Sequence, residues 1–154
     1  MEKKYIAEFL GTFFLVATVI GSGIMGDDLS AGNEAVALLG NTIATGAILF
    51  VIIKSFENLS GAHFNPIVSI VFYLLKEINL KDLIFYLVIQ FVAGLIAVLS
   101  IHFIFELSLM QISSKPRMGV SMFFSEIIAS FGLILTILMA VSYTHLTLPT
   151  TLQV

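Results

Sequence analysis

Charged residues in this chain fall in clusters, and the apolar stretches between them predict its elements. Phe9 to Gly26 runs for 18 residues without Asp, Glu, Lys or Arg, Ala35 to Ile53 for 19 and Leu83 to Phe105 for 23; a fourth such stretch starts at Ile127. A bilayer core of about 30 Å takes about 20 apolar residues as a helix. The pattern therefore predicts transmembrane helices near 5–25, 34–56, 82–105 and 120–141. A fifth gap, Asn58 to Leu75, is of another kind. It opens on polar and turn-forming residues (Asn58, Ser60, Gly61, His63, Asn65, Pro66), and only Ile67 to Leu75 is an apolar run, broken by Ser69 alone. Nine helical residues at about 1.5 Å each reach about 14 Å, roughly half a bilayer. Asn65 suits an N-cap and Pro66 the first helical position, so 66–75 is expected to be a re-entrant half-helix.

Composition narrows the class. Of 154 residues 58% are hydrophobic and 11% charged, with a mean hydropathy of +1.07, against about 45–50% and about 25% in ordinary soluble domains. A net charge of −3 argues against nucleic acid as a partner. The absence of cysteine excludes disulfide scaffolds, thiolate metal sites and thiol nucleophiles. An all-α integral membrane protein remains, with no enzyme chemistry, metal or cofactor expected and the lipid bilayer as its surroundings. Lys3, Lys4, Lys54, Lys76 and Lys81 fall on one side if the amino terminus is cytoplasmic, leaving Lys115 and Arg117 outside, which favours that orientation. A signal peptide over Met1 to Gly26 is the competing possibility, disfavoured by its length and by Glu8.

An internal repeat is visible. Ala7-Glu8-Phe9-Leu10-Gly11-Thr12-Phe13-Phe14-Leu15 aligns with Ser125-Glu126-Ile127-Ile128-Ala129-Ser130-Phe131-Gly132-Leu133 at an offset of 118. Glu8, Gly11, Thr12, Leu15, Val19 and Ser22 share one stripe of the first helix, and Phe9, Leu10, Phe13, Val16 and Ile20 form an opposite face suited to lipid. Three crossings and one half-helix separate the two glutamates, so the second copy is expected upside down. Inverted repeats of this kind build many channels and transporters.

At the head of the half-helix, backbone N–H groups lack helical partners and carry the positive end of the helix dipole. Irregular backbone at that depth is tolerated only where protein buries it or water lines it. Ser60 to Asn65 are therefore expected to border a polar path for small neutral hydrogen-bonding solutes. Ser60-Gly61-Ala62-His63-Phe64-Asn65-Pro66 closely resembles the first signature loop of the aquaporin family, the major intrinsic proteins, which reads Ser-Gly-Ala-His-x-Asn-Pro-Ala. The helix around Glu8, and Tyr86-x-x-x-Gln90 followed by Ala93-Gly94, resemble that family's first and third helices. The resemblance covers roughly residues 4 to 141.

The resemblance implies an aquaporin-like inverted-repeat bundle. Asn65 would be the pore-lining donor and Pro66 the start of its half-helix, while Gly61, Ala62 and His63 would turn carbonyls to the pore. Glu8 and Glu126 would brace the re-entrant loops. Counting back twenty residues from Asn65 reaches Thr45, the second-helix position of the family's selectivity constriction, with Asn41 one turn earlier on the same face. Thr45 is smaller than the aromatic of water-selective members, so glycerol-like solutes or metalloid acids are expected beside water, in a homotetramer of the bacterial cytoplasmic membrane. Two departures stand out. Ile67 replaces the box alanine, and the family's second Asn-Pro-Ala loop with its arginine has no counterpart. Residues 1–141 are thus expected to be a truncated domain with an incomplete second repeat, not conducting by itself, and 142–154 a non-native tail that turns away at Ser142. The alternative function is an ion- or proton-coupled secondary transporter using Glu8 and Glu126.

Overall fold

The computed structural model describes residues 2–111 and 118–146. It divides into two units, Met1–Ile112 and Ser113–Val154, each taken by itself. Lys115, Arg117 and the tail residues 147–154 fall outside the described residues. The described elements are all helices: α1 (Lys3–Leu29), α2 (Glu34–Ser60), α3 (Pro66–Leu74), α4 (Leu80–Ile104) and, in the second unit, α5 (Val120–Leu146). α1, α2, α4 and residues Val120–Ala140 of α5 are long and apolar enough to cross a membrane. α3, at nine residues, is not.

Local chemistry sets the helix ends. Asn33 caps α2 by accepting from Ala35 N and Val36 N at 3.1 and 3.3 Å. Asn79 caps α4 by accepting from Asp82 N at 2.9 Å, and its amide returns a bond to Asp82 Oδ2 at 3.0 Å. α1 runs on past the expected end near 25, through Asp27 and Asp28 to Leu29, and the chain then turns through Ala31 and Gly32, both at positive φ. α2 likewise carries Asn58 and Ser60 as helix and stops at Gly61, where φ is +82°. α5 continues to Leu146, past the expected end near 141. Lys76 closes α3 in the left-handed region (φ +64°), with Glu77 N bonded to Phe72 O at 2.9 Å. A side chain there costs about 1–2 kcal/mol. Lys76→Gly is expected to raise stability by about 0.5–1 kcal/mol, read as the thermal midpoint in detergent.

In the first unit α1 packs against both α2 and α4, and α3 packs against α4. Glycines let α1 and α2 come close: a β-carbon on Gly26 would lie 3.1 Å from Ala37 O. Because α1 has two neighbours, its covered arc is wider than one stripe, and this corrects the expected lipid face. Val16 turns to α4, where a β-carbon on Gly94 would meet its Cγ2 at 4.0 Å. Phe9, Leu10, Phe13 and Ile20 are half-buried, and the exposed side chains of α1 include Ile6, Phe14 and Val19. On α4, Tyr86, Gln90, Ala93 and Ala97 form the buried stripe.

The first turns of α1 and α4 are clasped. Asp82 accepts from Tyr5 Oη at 2.8 Å and pairs with Lys4 Nζ at 2.8 Å. The Tyr5 ring stacks on Phe85 at 5.0 Å. This clasp fixes the height of Glu8, one turn further along α1, against the middle of the bundle.

Candidate functional site: a carboxylate-held loop at the head of α3

Four residues, Ala62 to Asn65, lead from Gly61 at the end of α2 into α3. Gly61, Ala62 and Phe64 all have positive φ (+82°, +53° and +50°). Only the first is a glycine, so Ala62 and Phe64 hold a conformation costing about 1–2 kcal/mol each. Strain of this kind persists only where surroundings over-determine the backbone.

Glu8 does this. Its side chain is fully buried. Oε1 accepts from Ser60 Oγ at 2.7 Å and His63 N at 2.9 Å, and Oε2 from Phe64 N at 2.8 Å and Gln90 Nε2 at 2.9 Å. Four donors on two oxygens, two of them loop N–H groups, is the pattern of an ionised carboxylate acting purely as acceptor. Further bonds close the surroundings. Tyr86 Oη donates to Ser60 O at 2.8 Å, Ala62 N to Ser60 Oγ at 3.1 Å and Gln90 Nε2 to Ser69 Oγ at 3.0 Å. His63 Nδ1 lies 3.1 Å from the same Ser69 oxygen.

The Phe64 ring is buried between α1 and α2. It meets Phe56 edge-on at 6.1 Å, and a β-carbon on Gly11 would overlap it. Gly11→Ala must therefore push the ring aside. It is expected to cost about 1–3 kcal/mol, measured as a lower unfolding midpoint in detergent.

With the loop held this way, among the described residues no donor reaches the carbonyls of Gly61, Ala62 or His63. Asn65 Oδ1 accepts from Ile67 N at 2.8 Å and caps α3, which leaves its Nδ2 without an acceptor among the described residues. Pro66 is the first residue of α3 and Ile67, 46% exposed, the second. Thr45 and Asn41 lie one turn apart on α2; Thr45 Oγ1 donates to Asn41 Oδ1 at 3.2 Å and Asn41 Nδ2 to Val19 O at 3.1 Å. Glu126 is exposed on α5, in the second unit. Two open clefts, about 430 Å³ beside Tyr73–Asn79 and about 280 Å³ beside Val16, Gln90 and Gly94, are lined by none of Gly61–Ile67.

The structure thus brings Glu8, Gly61, Ala62, His63, Asn65 and Pro66 together around one loop. It adjusts the reading of Ser60, which is the last residue of α2 and bonds the carboxylate rather than heading the loop. Sequence reasoning left out Phe64 and Ser69. The helical spacing of Ser69 after Asn65 was an available signal; for Phe64 there was none, because its role depends on Gly11 of another helix.

Fold and loop together define a multi-pass helical membrane protein with a half-length helix headed by irregular, tightly held backbone. A family model described as major intrinsic protein matches residues 1–151, and the chain belongs to that family. It is 46% identical over 144 residues to Aquaglyceroporin AqpS of Rhizobium meliloti, covering 93% of this chain and 61% of that protein. It is 32% identical over 153 residues to Glycerol uptake facilitator protein-like 6 of Lactiplantibacillus plantarum, with 93% and 65% covered. Aquaporin NIP1-1 of Arabidopsis thaliana is 35% identical over 105 residues, with 68% and 34% covered. The chain spans less than two thirds of the length of these relatives.

Proposed function

We propose that the protein is a passive transmembrane channel for water and small uncharged solutes of glycerol-like or metalloid-acid type. One observation carries this: a buried carboxylate holds the loop so that, among the described residues, three carbonyls and the Asn65 amide nitrogen are left without protein partners. Gly61, Ala62 and His63 supply acceptors along a solute path and Asn65 supplies donors. Pro66 starts the half-helix whose dipole repels cations. Thr45 is the side chain that sets the opening. Selection by lining donors and acceptors and by an electrostatic barrier is how the handful of groups in such pores discriminate. The names of the relatives, an aquaglyceroporin and a glycerol uptake facilitator, support a glycerol-sized solute.

In this proposal Glu8 is a brace, and Glu126 is its counterpart in an inverted second repeat. The intact channel is a homotetramer in the bacterial cytoplasmic membrane, amino terminus inside, and residues 142–154 are no part of its pore. A coupled transporter using Glu8 is disfavoured, because each of its oxygens already accepts two bonds and offers no ready place for a carried proton.

Stopped-flow swelling of proteoliposomes, with the protein expressed from its own genomic locus, tests the proposal. Fast, non-saturating glycerol flux independent of any proton gradient is expected; saturation or gradient dependence contradicts it. Thr45→Phe is expected to lower glycerol flux severalfold more than water flux. Equal loss of both removes Thr45 as the filter.

A further inference from the structure

Five hydroxyls on these helices turn back onto their own backbone. Ser22 donates to Thr18 O at 2.6 Å, Thr42 to Leu38 O at 2.8 Å, Ser55 to Val51 O at 2.8 Å, Ser100 to Ile96 O at 2.7 Å and Thr136 to Gly132 O at 2.8 Å. This is the usual local bond of Ser and Thr inside a helix. Thr45 departs from it. Its hydroxyl donates to the side chain of the residue four back, Asn41 Oδ1 at 3.2 Å.

The reason lies on α1. Asn41 Nδ2 donates to Val19 O at 3.1 Å. A main-chain carbonyl can only accept, so the amide nitrogen is fixed on that side and Oδ1 faces Thr45. Gly23 completes the fit: a β-carbon there would stand 2.9 Å from Asn41 Nδ2, so the amide lies in a notch that glycine leaves open. The Val19 carbonyl orients the amide, and the amide takes the Thr45 proton.

We infer that Asn41 is a positioning residue rather than a solute contact: it holds the Thr45 hydroxyl away from its own helix backbone and commits its proton, so that the oxygen meets a passing solute as an acceptor. The solutes favoured are those that donate, small polyols and undissociated oxyacids. This rests on the channel proposed above. When residue 41 lacks the amide, the Thr45 hydroxyl falls back onto the main-chain carbonyl of residue 41, as Thr42 does onto Leu38 O, and its oxygen is held against the helix backbone instead of towards the solute path.

Two measurements test it. In flux assays, Asn41→Leu and Thr45→Val are each expected to lower the glycerol-to-water permeability ratio about three- to tenfold, the worth of one hydrogen bond, and the double variant no further than either single. A proportional fall in both fluxes in Asn41→Leu, or a double variant that multiplies the two effects, overturns the inference, because either marks mere helix packing. In the micelle-embedded chain, one carboxamide proton of ¹⁵N-labelled Asn41 is expected to exchange slowly and to stay protected in Thr45→Val; free exchange overturns the clamp. A protein expressed from its own genomic locus that is no more permeable than empty liposomes sinks the channel and the selection step with it, while the carboxamide signal still upholds or overturns the clamp.

Discussion

Glu8→Gln is expected to destabilise the protein by about 3 kcal/mol or more, since charge-assisted bonds are worth about 1.5–3 kcal/mol each and an unpaired buried N–H costs about 1–3 kcal/mol. The change keeps shape and removes one acceptor. If the new NH₂ group takes the Oε1 position, Ser60 can turn to accept from it, but His63 N loses its partner. If it takes the Oε2 position, Phe64 N does. Either way one loop N–H faces another donor, and Ala62 and Phe64 lose part of what holds them at positive φ. The measurements are the unfolding midpoint in detergent and hydrogen exchange at the His63 and Phe64 amides, both expected to show the loss. An unchanged midpoint with protected amides contradicts the brace.

Asn65→Asp is expected to separate two roles of one side chain. Aspartate caps a helix about as well as asparagine, and the dipole at the start of α3 favours a negative charge. Ile67 N therefore keeps its acceptor, and stability is expected to stay within about 1 kcal/mol of wild type. Solute passage is another matter. The two Nδ2 donors become a carboxylate oxygen that holds water or cations beside the proposed solute path. Glycerol flux is expected to fall at least about tenfold, the equivalent of about 1.4 kcal/mol. Retained flux removes Asn65 as the donor. Asn65→Ala, which loses the cap as well, is expected to cost about 1 kcal/mol of stability besides.

What the sequence made legible was whatever local chemistry decides. Charge gaps located α1, α2, α4 and α5 because a charge is costly in hydrocarbon. Asn65-Pro66 marked the start of α3 because a cap and a fixed φ act within one turn. Glu8 stood out as an acid in an apolar stripe, although its four partners come from three separate segments. Helix ends were read short at Leu29, Ser60 and Leu146, since residues that favour turns, such as Asp27 and Asn58, are also tolerated in the last turns of a helix. Val16 was misread and Phe64 missed because each is placed by another helix: Val16 faces Gly94 of α4, and the Phe64 ring fills the room that Gly11 of α1 leaves, and neither partner signals anything along its own chain.

Because the chain has no cysteine, single spin labels at Ile67→Cys and Leu74→Cys can report how α3 sits in a bilayer. Both positions are exposed, and seven residues of helix separate them by about 10 Å. The expected result is a label at 67 about 10 Å deeper than the label at 74, near the bilayer midplane, and within reach of a water-soluble relaxant. Equal depths near the headgroups, or a label at 67 that reaches the far leaflet, would contradict a half-helix that ends midway and presents Asn65 to a solute path.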